Sequence, residues 1–131
     1  PNNRRPLVGR TNVIISRNNI PSYIEENCVW FNSIGAAVDY FKNGDGKEHD
    51  NIWIIGGGEI YNGFINKSSY LTDITNIYIT EIEEDYICDT YFPNIPDEFN
   101  IRTVNKTETY KTINSPDIPI TVNYVKYSRE K

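Results

Sequence analysis

Trp53-Ile54-Ile55-Gly56-Gly57-Gly58-Glu59-Ile60-Tyr61 is the stretch on which the fold turns. An apolar, β-branched run ends in three glycines, and an acidic residue and a new apolar pattern follow at once. That order reads as a buried strand, a tight turn and the opening of a helix. Glycine lets a backbone turn sharply and approach a ligand closely, because no Cβ stands in the way. A helix opening behind the turn directs unpaired N–H groups and partial positive charge toward it, which suits a pyrophosphate. A plain strand-to-helix turn is the competing reading of the same residues.

Working outward, Asn12-Val13-Ile14-Ile15-Ser16-Arg17 reads as a buried parallel strand before the breakers Asn18, Asn19 and Pro21. Cys28-Val29-Trp30-Phe31-Asn32 is a second strand. Ser33 is an N-cap for a helix whose apolar face is Ile34, Ala37, Val38 and Phe41 and which ends at Asn43-Gly44-Asp45-Gly46. Ile52 to Ile55 is the third strand. Glycines 56 to 58 then lead into a helix carrying Ile60, Phe64 and Ile65, with Glu59 suited to its first turn. Strand, strand–helix, strand–helix marks a mostly parallel α/β sheet flanked by helices.

The style changes after that. Ile77 to Ile82, Phe99 to Val104, Glu108 to Ile113 and Ile120 to Tyr127 read as strands with no helices between them, so they should pair antiparallel. Ile120 to Tyr127 carries bulky groups on both faces and is expected between two neighbours. The polar stretch Lys106 to Pro119, which overlaps the third of these runs, reads mainly as loop.

A length of 131 residues suits one domain, residues 1–131. A net charge of −5 excludes a general nucleic-acid binder, which needs a basic face. No apolar run is long enough for a membrane span. Cys28 and Cys88 are isolated, which points to free thiols in a reducing compartment. Neither has metal-ligand spacing, and the lone His49 sits in a polar stretch, so no metal is expected. The opening Pro1-Asn2-Asn3-Arg4-Arg5-Pro6 reads as the middle of a loop, and the chain contains no methionine, so a fragment or processed product is expected.

Four segments in register resemble the dihydrofolate reductase family. They are Arg5-Pro6-Leu7-Val8-Gly9-Arg10-Thr11-Asn12 with the strand and Ser16-Arg17 behind it, the glycine stretch Trp53 to Tyr61, Thr80-Glu81-Ile82, and Cys88-Asp89-Thr90-Tyr91-Phe92-Pro93. The last is the most discriminating. The resemblance implies a cytoplasmic, NADPH-dependent reduction of 7,8-dihydrofolate to tetrahydrofolate, with antifolates as inhibitors. It also implies that the chain corresponds to the C-terminal two thirds of the family domain, without the active-site carboxylate. No residue of the chain is therefore catalytic, and the chain alone is expected to be inactive. Either a single-domain enzyme or the reductase module of a fusion with thymidylate synthase is consistent with the resemblance.

Carried over residue by residue, the resemblance gives Arg10 the carboxylate of the substrate's glutamate tail, against an ordinary loop arginine. Leu7 packs on the benzoyl ring, or is a core leucine. The Ile55 carbonyl faces the pterin, and Tyr61 lies near the nicotinamide, or is a half-buried helix tyrosine. Gly56 and Gly57 are joined by a cis peptide, and Gly57, Gly58, Glu59 and Ile60 supply the pyrophosphate turn. Ser16 and Arg17 recognise the 2′-phosphate of NADPH, and Asn32 and Ser33 are the next candidate contacts. Thr80 supports the missing carboxylate, or is a strand threonine. Asp89, Thr90 and Tyr91 are structural. Glu59 would repel a phosphate, so preference for NADPH rests mainly on Arg17. The rivals are a riboflavin-pathway pyrimidine reductase of the same fold and a non-catalytic nucleotide-binding remnant.

Overall fold

The computed structural model describes residues 7–18, 27–49, 51–114 and 116–130. The chain forms two compact units, Pro1–Ile55 and Gly56–Lys131.

In the first unit, β1 (Asn12–Ile15) and β2 (Cys28–Phe31) pair in parallel, with Val13 opposite Val29 and Ile15 opposite Phe31. Helix α1 (Ile34–Asn43) follows at once. Its start is the one the sequence points to: the Ser33 hydroxyl accepts from the Ala36 N–H at 3.1 Å, satisfying one of the orphan donors of a first turn. Ala37 is the buried residue of the helix. Tyr40 packs against Phe31 with ring centroids 5.2 Å apart, and Phe41 meets the ring of His49 edge-on at 5.9 Å. Gly46 lies so close under Tyr40 that an added Cβ would fall 2.3 Å from its ring, so the end of the helix needs glycine for space.

One expected element is absent from this unit. Ile52 to Ile55 joins no strand ladder among the described residues, and Ile52, Trp53 and Ile55 are exposed. The apolar run is as read, but a strand exists only through its hydrogen-bonded neighbours.

The second unit opens with α2 (Gly58–Ile65) and the one-turn α3 (Ser68–Leu71), which the sequence reading did not separate out. Then come β3 (Asn76–Ile82), β4 (Ile101–Tyr110) and β5 (Ile120–Ser128) in an antiparallel sheet of order β3-β5-β4. The central place of β5 follows from its two bulky faces: Val122 and Val125, on opposite faces, are both buried. The runs Phe99 to Val104 and Glu108 to Ile113 are not two strands. They are the single strand β4, whose register slips at a bulge between Val104 and Lys106. The loop expected over Lys106 to Pro119 accordingly begins only after Tyr110. Parallel pairing is thus confined to β1–β2, and the rest of the described ladders are antiparallel.

The core of this unit is Ile65 from α2, Ile77 from β3 and Phe99, with Leu71, Ile74, Ile79, Ile95 and Tyr127 packed around them. Arg129 closes it. Its guanidinium lies 4.5 Å from the Phe99 ring centroid, donates to the carbonyls of Ile74 and Leu71, and pairs with Glu98 at 3.7 Å. The head of the arginine thus satisfies the carbonyls of Leu71, the last residue of α3, and of Ile74 beyond it.

On the core side of the sheet, Glu81 accepts from Arg102 and from the Tyr127 hydroxyl. The hydrogen bond from Arg102, then that from Tyr127, holds the Glu81 carboxyl below the usual carboxylate range against a smaller opposing effect of burial. A carboxylate with a depressed folded-state pKa stabilises the fold fully above its unfolded pKa and loses that contribution as pH falls through the folded one. Melting temperature should therefore fall between about pH 5 and pH 3, and Glu81→Gln should flatten that part of the profile. Superimposable profiles for the two proteins would show that the carboxylate contributes nothing.

Candidate functional site

The first unit gathers six of the expected site residues at two places. Leu7 and Arg10 stand on a loop that Asn12 holds closed. The Leu7 N–H donates to Asn12 Oδ1 at 2.8 Å, and Asn12 Nδ2 donates to the carbonyls of Leu7 at 3.0 Å and Arg10 at 3.1 Å. Gly9 turns the loop with φ +77°, a conformation in which an L side chain is strained. Arg10 Nε donates to the Val8 carbonyl at 3.1 Å, engaging one of the five donors of the guanidinium. Asn12 was not singled out from the sequence. An asparagine just ahead of a β-branched run was its only signal, and its bonds to residues up to five positions back become visible only in three dimensions.

The other place is the C-terminal end of the parallel pair. Ile15 is opposite Phe31, so Ser16-Arg17 and Asn32-Ser33 leave adjacent strands side by side. The Ser16 N–H extends the ladder to the Phe31 carbonyl at 2.9 Å, and its hydroxyl accepts from the Asn18 N–H at 3.2 Å. Arg17, Asn32 and Ser33 are exposed. The carboxyl ends of parallel strands are where open α/β sheets bind ligands. Ile55, the remaining candidate in this unit, is exposed at its end.

In the second unit the Gly56–Gly57 peptide is cis, as the resemblance implied. Gly56 has φ +101°, and an added Cβ would meet the Tyr61 ring at 3.0 Å. At Gly58 the same atom would meet the Thr90 methyl at 3.0 Å, whereas at Gly57 it would meet nothing within 4 Å. The turn is thus packed on two sides and open at its middle residue. Gly57 is the N-cap of α2, and its carbonyl accepts from the Tyr61 N–H at 3.0 Å. Glu59 is exposed in the first turn, while Ile60 is half-buried. Tyr61 packs against Phe92 with ring centroids 5.0 Å apart, so the Asp89-to-Pro93 segment lies against the glycine turn.

Thr80 stands on the other face of the sheet from the Ile77 cluster. It is opposite Tyr124 and lines a shallow pocket with Tyr78, Asn105 and Tyr124. Tyr124 and Tyr110 both donate to Glu108, which also pairs with Lys106. The hydrogen bond from Lys106 is the main reason the Glu108 carboxyl is held below its ordinary range. Burial, then the Glu108 charge, raises the Tyr124 phenol. Among the described residues the Thr80 hydroxyl has no hydrogen-bond partner.

Among the described residues no three histidine, cysteine, aspartate or glutamate side chains are grouped as metal ligands. Neither cysteine is in a disulfide, and Cys28 is buried while Cys88 is exposed. No described helix is long and apolar enough to cross a membrane.

The family model for dihydrofolate reductase matches residues 2–129. The chain belongs to the dihydrofolate reductase family. It is 32% identical over 98 residues to the dihydrofolate reductase of Heliothis virescens, an alignment covering 72% of this chain and 49% of that protein. It is 35% identical over 97 residues to a bifunctional dihydrofolate reductase-thymidylate synthase of Arabidopsis thaliana, covering 72% of this chain and 16% of that one. The dihydrofolate reductase structure of Schistosoma mansoni superimposes with a TM-score of 0.72 at 24% identity, covering 99% of this chain and 68% of that one. The fold is therefore that of dihydrofolate reductase. The chain spans about half the length of the curated reductases it matches.

Proposed function

We propose that this chain is the greater part of one dihydrofolate reductase domain, and that the whole protein reduces 7,8-dihydrofolate to tetrahydrofolate with NADPH. The family match carries the reading. The observation on the molecule that best supports it is the turn before α2. Gly57 offers a face with nothing within 4 Å, at the start of a helix whose N–H groups lie behind it. A diphosphate fits such a place, since both the open backbone and the helix end favour an anion.

When bound, NADPH supplies the hydride; the chain supplies binding and position. In this reading Gly57, Gly58, Glu59 and Ile60 hold the pyrophosphate, with Gly56 setting the turn. Ser16 and Arg17, flanked by Asn32 and Ser33, take the 2′-phosphate. Arg10 takes the glutamate-tail carboxylate of dihydrofolate through paired hydrogen bonds, and Leu7 packs on its benzoyl ring. The Ile55 carbonyl faces the pterin, and Tyr61 lies near the nicotinamide. Thr80 steadies the proton-handling carboxylate, which matches no residue of this chain. Exposed Glu59 puts a negative charge beside the pyrophosphate, so affinity depends on Arg17. The proposed location is the cytoplasm, where cysteines outside disulfides, as Cys28 and Cys88 are, persist.

The deciding assay is NADPH oxidation by the full-length protein. Oxidation that needs dihydrofolate and stops with methotrexate is expected. Oxidation driven instead by a riboflavin-pathway pyrimidine would move the reading to that reductase, and NADPH binding without turnover would make the protein a binding remnant. In the same protein, Arg17→Ala should weaken NADPH about tenfold while changing NADH by less than about twofold. Equal weakening of both would remove Arg17 from the 2′-phosphate.

A further inference from the structure

Resting on that reading of the glycine turn, we infer that Thr90 and Phe92 are positioning residues for the cofactor, acting by packing and not by hydrogen bonding. The sequence reading gives Asp89, Thr90 and Tyr91 only a structural role. The structure sets two of its side chains against the backbone that is to receive a pyrophosphate. The Thr90 methyl fills the space beside Gly58, 3.0 Å from where a Cβ would stand. Phe92 packs on Tyr61 at a centroid distance of 5.0 Å, and the Tyr61 ring in turn closes off Gly56. The flanking glycines are thus held by a methyl and by a pair of rings, while Gly57 between them stays open. Glycine turns are otherwise free to sample many conformations, so an outside clamp is what makes one of them persist. The Thr90 hydroxyl has another partner, Asp89 Oδ1 at 3.3 Å. The two halves of the threonine side chain can therefore be tested apart.

Thr90→Ser deletes the methyl and keeps the hydroxyl; Thr90→Val does the reverse. In the full-length protein, Thr90→Ser should raise the NADPH dissociation constant about three- to tenfold. Its melting temperature should stay within about 2 °C of the parent, and backbone amide exchange should quicken over residues 57–61. Thr90→Val should hold affinity within about twofold and leave exchange slow. Gly58→Ala should weaken NADPH, and Thr90→Ser in that background should recover part of the loss, because the smaller side chain admits the new Cβ. Loss of affinity with Thr90→Val and not Thr90→Ser would assign the effect to the hydroxyl and overturn the proposal. So would unchanged exchange in Thr90→Ser. If the parent protein binds no NADPH, the functional reading fails, and the exchange comparison still decides the clamp.

Discussion

Gly56→Ala is expected to weaken NADPH binding about a hundredfold, while Gly57→Ala leaves the apoprotein's stability unchanged. The two glycines are neighbours, but their surroundings differ. At φ +101° an alanine at position 56 sits in a region L residues rarely occupy, at about 1–2 kcal/mol. Its Cβ would also lie 3.0–3.1 Å from two ring carbons and the hydroxyl of Tyr61. The ring cannot simply retreat, because Phe92 packs against it. Overpacking of this kind costs about 1–3 kcal/mol. The strain is relieved by shifting the turn, and with it the N–H groups at the head of α2. A displacement worth about 2–4 kcal/mol corresponds to roughly 30- to 1,000-fold in affinity. At Gly57 φ is −81° and an added Cβ meets nothing, so the protein itself tolerates alanine. A ligand approaching that face would not. Melting temperatures and NADPH titrations of both variants separate the two effects. NADPH binding by Gly56→Ala within about threefold of the parent would mean that the turn is not the pyrophosphate site.

Phe99→Ala should lower the stability of the fold by about 3–5 kcal/mol, a large share of the 5–15 kcal/mol typical of a domain. Phe99 is 3% exposed and joins Ile65 of α2 to Ile77 of β3. Its removal leaves a cavity where two elements meet. It also takes away the ring beneath the Arg129 guanidinium, whose bonds to the Leu71 and Ile74 carbonyls fix the turn after α3. Phe99→Leu, which keeps much of the volume, should lose less than about 1.5 kcal/mol. Urea denaturation of both variants reads the difference directly. If Phe99→Ala lost less than about 1.5 kcal/mol, this cluster would not be the core that holds the second unit together.

Local signals were legible in the sequence because they act over a few residues. Ser33 caps the helix read from Ile34, Ala37, Val38 and Phe41, and the bulky alternation over Ile120 to Tyr127 does mark the middle strand of its sheet. The candidates Ser16, Arg17, Asn32 and Ser33 were found as separate short stretches, and it is the parallel register that sets them side by side. Asn105-Lys106-Thr107 broke β4 in two on paper because it is polar. The bulge at that point carries the strand through, with Thr107 donating to Asn123 across the ladder. The loop clamp of Asn12 and the methyl contact of Thr90 are not legible in the sequence, since an amide clamping a loop and a methyl covering a glycine leave no pattern along the chain.

The sequence by itself determined the starts of α1 and α2, the glycine turn, the alternation of the middle strand β5 and, through four segments in register, the family. Those features depend on side-chain chemistry and on spacing within a few residues. The tertiary structure decided what depends on a distant partner. It left Ile52 to Ile55 outside any ladder among the described residues, made one strand of Ile101–Tyr110, and set Arg129 over Phe99 and Thr90 over Gly58. A strand is stabilised by its neighbour's hydrogen bonds and a core contact by the atoms it excludes from water. Neither can be read from one segment of the chain alone.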